Sequence, residues 1–148
     1  MSTPREVPFE LTHHVRDRCL CLQVQRTARA LARRFDDAFR PLGLTQGQFS
    51  LLMSLNRPAP PRLGEVAELL AMDRTTLTAN LKPLERRRLI EVAVDEADRR
   101  GRRLKLTRAG RVLLAAAAPV WKREHARVER LLKTADASTV RAALRELS

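Results

Sequence analysis

Residues 63–106 read LGEVAELLAMDRTTLTANLKPLERRRLIEVAVDEADRRGRRLKL, and the order of signals in that stretch decides the fold. Leu63, Val66, Leu69 and Leu70 recur at helical spacing over one short helix, residues 63–70, and are expected to be buried. Ala71 and Met72 leave room only for a tight connection. Asp73 then caps a further helix running to about Arg88. Two apolar runs follow. Residues 89–94 read as a strand, residues 103–106 alternate and read as its partner, and the charged segment 95–102, with Gly101, makes the hairpin tip. Short helix, tight turn, helix and basic hairpin together are the pattern of a winged helix-turn-helix.

On the second helix of that pattern, at roughly 100° per residue, Leu77, Leu81, Leu84 and Arg88 share one stripe, and the three leucines set its buried face. The opposite face centres on Thr75, Ala79, Lys82 and Arg86, with Thr76 and Thr78 on its flanks and Arg74 at the helix start. Small, hydroxylated and cationic side chains of this kind suit a major groove about 12 Å wide, where they meet base edges or phosphates. The helix N-terminus adds partial positive charge. Asn80 falls nearer the buried stripe and reads as an internal hydrogen-bonding residue. Pro83 removes one helical hydrogen bond and reads as a kink facing solvent. At the hairpin tip, Arg99, Arg100, Arg102 and Arg103 fall within five residues, and an arginine there can enter a narrow minor groove. Asp98 is positioned to pair with Arg100 and stiffen the tip.

Outward from this core, Thr45-x-x-Gln48 is a capping box opening a helix with Phe49, Leu51, Leu52 and Leu55. Residues 56–61 form a proline-rich turn. Residues 1–10, with Pro4 and Pro8, read as a loose arm. One long helix then runs to about Arg40. Its apolar positions Cys21, Val24, Ala28, Leu31, Phe35, Ala38 and Leu42 alternate spacings of 3 and 4, the stripe of a helix that packs on another helix of its own domain or of a second subunit. Thr107 caps a long Leu- and Ala-rich helix containing Pro119 and Trp121, and Asp136 or Ser138 caps a last one. The expected fold is mainly α with a small two- or three-stranded β-wing. Residues 1–44 form an arm and dimerisation helix, 45–108 the DNA-binding domain, and 109–148 the C-terminal dimerisation helices.

Composition agrees with an anionic partner. The 148 residues carry a net charge of +12, and aromatics are only 3%, so the core is aliphatic and helix-rich. Residues 72–108 are the most basic segment, with 11 Lys and Arg against 6 Asp and Glu. There is no run of about 18 apolar residues to span a membrane. The N-terminal residues lack the apolar stretch of a signal peptide, and two cysteines are too few for a disulfide framework, so the expected compartment is the cytoplasm. No phosphate-binding glycine loop, Ser/His/Asp set or paired carboxylates in a cleft are evident, and enzyme chemistry is not expected. Glu65 and Glu68 read as a solvated helix face. The histidines show no metal-ligand spacing with the cysteines, and no cofactor is expected.

The chain closely resembles the MarR family of bacterial winged-helix repressors and activators. The resemblance is carried by Leu44-Thr45-Gln46-Gly47-Gln48-Phe49, Leu63-Gly64-Glu65-Val66-Ala67-Glu68-Leu69-Leu70, Asp73-Arg74-Thr75-Thr76-Leu77-Thr78 and Leu84-Glu85-Arg86-Arg87-Arg88-Leu89-Ile90. It continues in Asp95-Glu96-Ala97-Asp98-Arg99-Arg100-Gly101 and Leu106-Thr107-Arg108-Ala109-Gly110. The resemblance implies an obligate homodimer joined by the first and the two C-terminal helices. It implies a recognition helix in the major groove, a wing in the minor groove and a palindromic operator with half-sites about one helical turn apart. It also implies an effector pocket between the lobes, often for small phenolic or other aromatic acids. Ala79 departs from the pattern, because many relatives carry a basic residue there. Thymine-methyl contact from Ala79, or heavier use of Thr75 and Thr76, would replace an arginine–guanine contact.

Cys21 is the redox candidate. A hydroperoxide-sensing subgroup of the family is similar in Leu20-Cys21 and in Arg29. Those relatives hold their thiolate with tyrosine hydroxyls, and this chain has no Tyr. The apolar stripe reads Cys21 instead as a small buried residue. In one continuous helix Cys19 and Cys21 face opposite ways. A third reading is an architectural protein that coats DNA without sequence preference.

Overall fold

The computed structural model describes residues 6–148. In chain order it contains α1 (Phe9–Arg18), α2 (Leu20–Phe39), a 3-10 turn (Arg40–Leu42), α3 (Gln46–Ser54), α4 (Leu63–Leu69) and α5 (Arg74–Arg86), then β1 (Ile90–Val94), β2 (Arg102–Leu106), α6 (Arg108–Glu129) and α7 (Ala137–Arg145). This is the mainly helical winged helix-turn-helix expected. The wing is a two-stranded antiparallel sheet in the register Ile90↔Leu106 to Val94↔Arg102. A third edge is reduced to a single antiparallel bridge between Arg62 and Arg103, beside which the Leu104 N–H donates to the Pro61 carbonyl at 3.0 Å.

One apolar cluster holds the elements together. Leu77, Leu81 and Leu84 of α5 are buried with Leu52 of α3, Val66 of α4 and Leu104 of β2, and Phe35 and Phe39 of α2 join Leu114 and Ala117 of α6 in the same cluster. Each fully buried leucine contributes about 1.5–3 kcal/mol relative to exposure. The α5 stripe therefore fixes which way the opposite face points. Helix ends are set by side chains the sequence marks. Both bonds of the Thr45–Gln48 capping box form, and Asp136 accepts from the Thr139 N–H. Asp73 accepts from the backbone N–H and the hydroxyl of Thr76, both at 2.7 Å.

The motif Leu106-Thr107-Arg108-Ala109-Gly110 has a structural explanation. The Thr107 hydroxyl donates to the Arg88 carbonyl (2.7 Å) and accepts from the Gly110 N–H (3.0 Å), and the Thr107 N–H donates to the Leu89 carbonyl. Thr107 thus ties the start of α6 to the turn after α5. A Cβ on Gly110 would lie 2.1 Å from the Leu89 carbonyl oxygen, so only glycine fits.

Several expectations are corrected. The long first helix is two helices, broken at Cys19, whose extended backbone (φ −72, ψ 109) ends α1 while its Sγ accepts from the Leu22 N–H and starts α2. Helix α1 begins at Phe9, inside the expected arm, and residues 1–5 of that arm lie outside the described residues. Helix α5 stops at Arg86. Arg88 is in the left-handed region (φ 55) and exposed, so it is not on the leucine stripe. Pro83 is half-buried, at a small cavity shared with Leu51 and Gln48 of α3, instead of facing solvent. Asn80 is exposed, and its side-chain amide reaches only the Met72 sulfur, at 3.6 Å.

The turn between α4 and α5 is strained. Ala71 has φ 49, held by the Ala71 N–H to the Glu68 carbonyl and the Met72 N–H to the Ala67 carbonyl. An L-residue in this region costs about 1–2 kcal/mol that glycine avoids. Ala71→Gly is therefore expected to raise the unfolding free energy by about 0.5–1 kcal/mol after glycine's larger entropy loss is subtracted. Urea denaturation of the two proteins measures the difference.

Candidate nucleic-acid interface

Helix α5 and the wing project two sets of exposed cations from one rigid core. Leu77, Leu81 and Leu84 are buried, while Arg74, Thr75, Thr76, Thr78, Ala79, Lys82 and Arg86 are all exposed. The leucine anchors thus leave the expected reading face open. Thr76 is partly committed, since its hydroxyl proton goes to Asp73. The Thr76 N–H, and after it that hydroxyl, hold the Asp73 carboxyl below the usual carboxylate range, so the helix start keeps a charged cap. Arg74 lies over α4, its guanidinium 2.9 Å from where a Gly64 Cβ would sit.

At the wing tip Arg99, Arg100 and Arg102 are exposed. Arg102 folds back on the tip, donating to the Gly101 carbonyl at 3.1 Å. Among the described residues, Arg74, Lys82, Arg86, Arg99 and Arg100 enter no ion pair. Uncommitted cations are what phosphate neutralisation requires. Between the wing, α4 and α5 lies a cleft of about 570 Å³ of mixed charge, bordered by Arg62, Arg74, Arg100 and Arg102 and by Glu65, Glu68, Asp95 and Asp98.

The expected Asp98–Arg100 ion pair does not form. Asp98 accepts the Arg100 backbone N–H at 3.1 Å, a local turn bond that leaves the Arg100 guanidinium free. The wing is held instead by Asp95, only 3% exposed. Its Oδ2 lies 3.1 Å from Arg62 Nε and 3.3 Å from Arg103 Nε. Its Oδ1 accepts the Ala97 N–H at 3.1 Å. Arg103 also donates to the Pro60 carbonyl. This arrangement was missed by sequence reasoning, which named neither Asp95 nor Arg62 as a site residue and read Arg103 as a tip arginine free for DNA, whereas it is tied to Asp95. Arg62 is 33 positions from Asp95, and no local pattern joins them. Glu65, read as solvated, accepts the Arg62 N–H at 2.9 Å and starts α4.

Burial pushes the Asp95 carboxyl up, but the Ala97 N–H and the two guanidiniums outweigh it and hold it below its ordinary range. A depressed carboxylate stabilises the fold above its unfolded pKa, and that contribution is lost as pH falls through the lower, folded value. The wing is therefore expected to stay ordered from neutral pH down to about pH 4 and to loosen only below it. Amide exchange at Ala97 and Gly101 measures this, and Asp95→Asn should loosen the wing at neutral pH and remove the acid step.

The sequence model of the MarR family matches residues 42–101, from the end of the 3-10 turn to the wing tip. The crystal structure of the Mycobacterium tuberculosis transcriptional regulator MosR in complex with DNA is 36% identical, with a TM-score of 0.80 over 88% of this chain and 93% of that one. The chain belongs to the MarR family. A further similar structure is that of the transcriptional repressor CouR bound to a 23-mer DNA duplex, 29% identical with a TM-score of 0.71 over 96% of this chain and 95% of that one. The transcriptional activatory protein BadR of Rhodopseudomonas palustris is 36% identical over 72 residues, a match that spans 47% of this chain and 41% of that protein. The free cations of α5 and the wing are thus the surface of a MarR-family winged helix. Among the described residues, no helix is long and apolar enough to cross a membrane.

Proposed function

We propose that the protein is a homodimeric, sequence-specific double-stranded-DNA-binding transcription regulator, acting as a repressor and released by a small-molecule effector. The observation that carries this reading is the exposed α5 face flanked by a wing whose Arg99 and Arg100 enter no ion pair among the described residues. Thr75, Thr78, Ala79, Lys82 and Arg86 lie along the major groove, with Arg74 and Thr76 at its edge, and the wing arginines lie in the minor groove. In this reading residues 45–108 form the DNA-binding lobe, and residues 1–44 and 109–148 the dimerisation lobe.

Dimerisation is supported by apolar surface with no cover. Helices α1 and α7 have no buried residue, and Phe9, Leu11, Val15 and Leu20 are exposed, as are Leu131, Leu132, Leu144 and Leu147. Exposed apolar area of this extent marks a protein–protein contact. Effector release is supported by a cavity of about 560 Å³ bounded by α3, the last turn of α4 and Trp121 of α6, where the two lobes meet.

The test combines light scattering with hydroxyl-radical footprinting on the gene's own upstream DNA. The reading requires a dimeric mass and two protected half-sites about one helical turn apart. A monomer, or uniform protection along the DNA, overturns it, and uniform protection favours the architectural alternative.

One observation favours a second reading, a thiol-based peroxide sensor. Cys21 is exposed and not part of the core. Its Sγ accepts from Gln25 Nε2 at 3.2 Å, and Gln25 in turn accepts from Arg29 at 3.1 Å. Gln25 is thus a donor to the Cys21 sulfur in a chain that has no Tyr. If Cys21→Ser releases operator DNA under peroxide just as the unsubstituted protein does, this reading fails.

A further inference from the structure

We propose that the cavity between α3, α4 and α6 selects a neutral, flat aromatic ligand over the aromatic acids expected from the family resemblance. This inference rests on the effector reading above and names its ligand class.

The wall is apolar and aromatic. Phe49 and Met53 of α3, Leu69 and Leu70 of the α4 end and Trp121 of α6 form most of it. Met53, Leu69 and Trp121 are each more than a third exposed, and Leu69, expected from its spacing to be buried, reaches 60% because the end of α4 borders this cavity, so large apolar groups converge on an open space. Flat rings already align here. The Trp121 ring stacks on His125 at 4.6 Å and 11°, and on Phe49 at 6.4 Å and 16°. A planar ligand matches that alignment.

Among the described residues, none that lines the cavity is charged. A carboxylate entering the cavity would lose water without gaining a counter-charge, which disfavours the ionised form strongly. Arg111 lines a smaller cavity that shares Met53, but its guanidinium donates to the Leu106 carbonyl at 2.9 Å. The polar groups present suit a neutral acceptor. The Ser54 hydroxyl donates to the Leu51 carbonyl. The Ser50 oxygen accepts from the Gln46 side-chain amide at 2.8 Å, and among the described residues its own proton has no acceptor. A ketone or other uncharged oxygen on the ligand would take it.

The position of the cavity supplies the consequence. Leu69 and Leu70 end α4, and the strained Ala71 turn then leads within two residues to Asp73, the cap of α5. An occupant that bears on these leucines bears on the segment that aims the recognition helix.

Calorimetric titration of the full-length protein at pH 7 with 2-acetylnaphthalene and with its anionic counterpart 2-naphthoate tests the proposal. Trp121, the chain's one tryptophan, reports occupancy by its emission. The neutral ketone is expected to saturate with a Kd at least tenfold below that of the carboxylate. Leu69→Arg, a change at an exposed position, should shrink or reverse that ratio by placing a cation at the rim. Equal or tighter binding of naphthoate to the unsubstituted protein, or an unmoved ratio in Leu69→Arg, overturns the proposal. So does the absence of saturation by either probe, the result expected if a partner subunit's helix fills the space. Equal or tighter binding of naphthoate overturns the selection for a neutral ligand and leaves the effector reading standing, whereas no saturation by either probe removes the ligand site as well.

Discussion

Gly110→Ala is expected to destabilise the protein by about 3 kcal/mol, the upper end of what overpacking costs. Alanine in a helix would ordinarily gain about 1 kcal/mol over glycine. Here the added Cβ would lie 2.1 Å from the Leu89 carbonyl oxygen and 3.1 Å from its carbon. That carbonyl belongs to backbone and already accepts the Thr107 N–H, so it cannot swing aside without breaking the tie between the wing and α6. The clash therefore outweighs the propensity gain. Chemical denaturation measures the difference. Gly47→Ala is the control, because a Cβ there meets nothing closer than 4.0 Å and should leave stability unchanged or slightly raised.

The second large effect is on DNA. Arg99→Ala combined with Arg100→Ala removes two uncommitted cations per subunit and four per dimer. Each phosphate contact contributes about 0.9 to the slope of log affinity against log salt. The double variant should thus flatten the slope by about 3.6 and weaken binding about a thousandfold at 0.15 M salt, with its melting temperature unchanged. The fold should be spared, since the wing is held by Asp95, Arg62 and Arg103 and not by these tip residues. Anisotropy titrations at several salt concentrations provide the slope. An unchanged slope would remove the wing from the DNA interface.

What could be read from sequence follows physical range. The α5 stripe, its Asp73 cap, the Thr45 capping box and the alternating wing strands are local patterns, and each formed as expected because its partners lie within a few residues. The break at Cys19 was not legible, as neither proline nor glycine marks it. The end of α5 was overrun by two residues because Arg88 adopts a left-handed backbone that its residue type does not advertise. The Asp98–Arg100 pairing was the local choice, whereas the buried carboxylate is Asp95, selected by Arg62 across a single bridge from a distant segment. The aromatic cavity was invisible for the same reason. Phe49 and Trp121 are 72 positions apart, and only the packing of α3 on α6 brings them together.

The most direct measurement of the central claim is the affinity of the full-length protein for its own upstream DNA against a shuffled duplex of equal length and composition, at 0.15 M salt. Reading by the Thr75–Lys82–Arg86 face predicts a preference of about a thousandfold or more. A ratio near one would contradict it and leave only charge-driven coating of DNA.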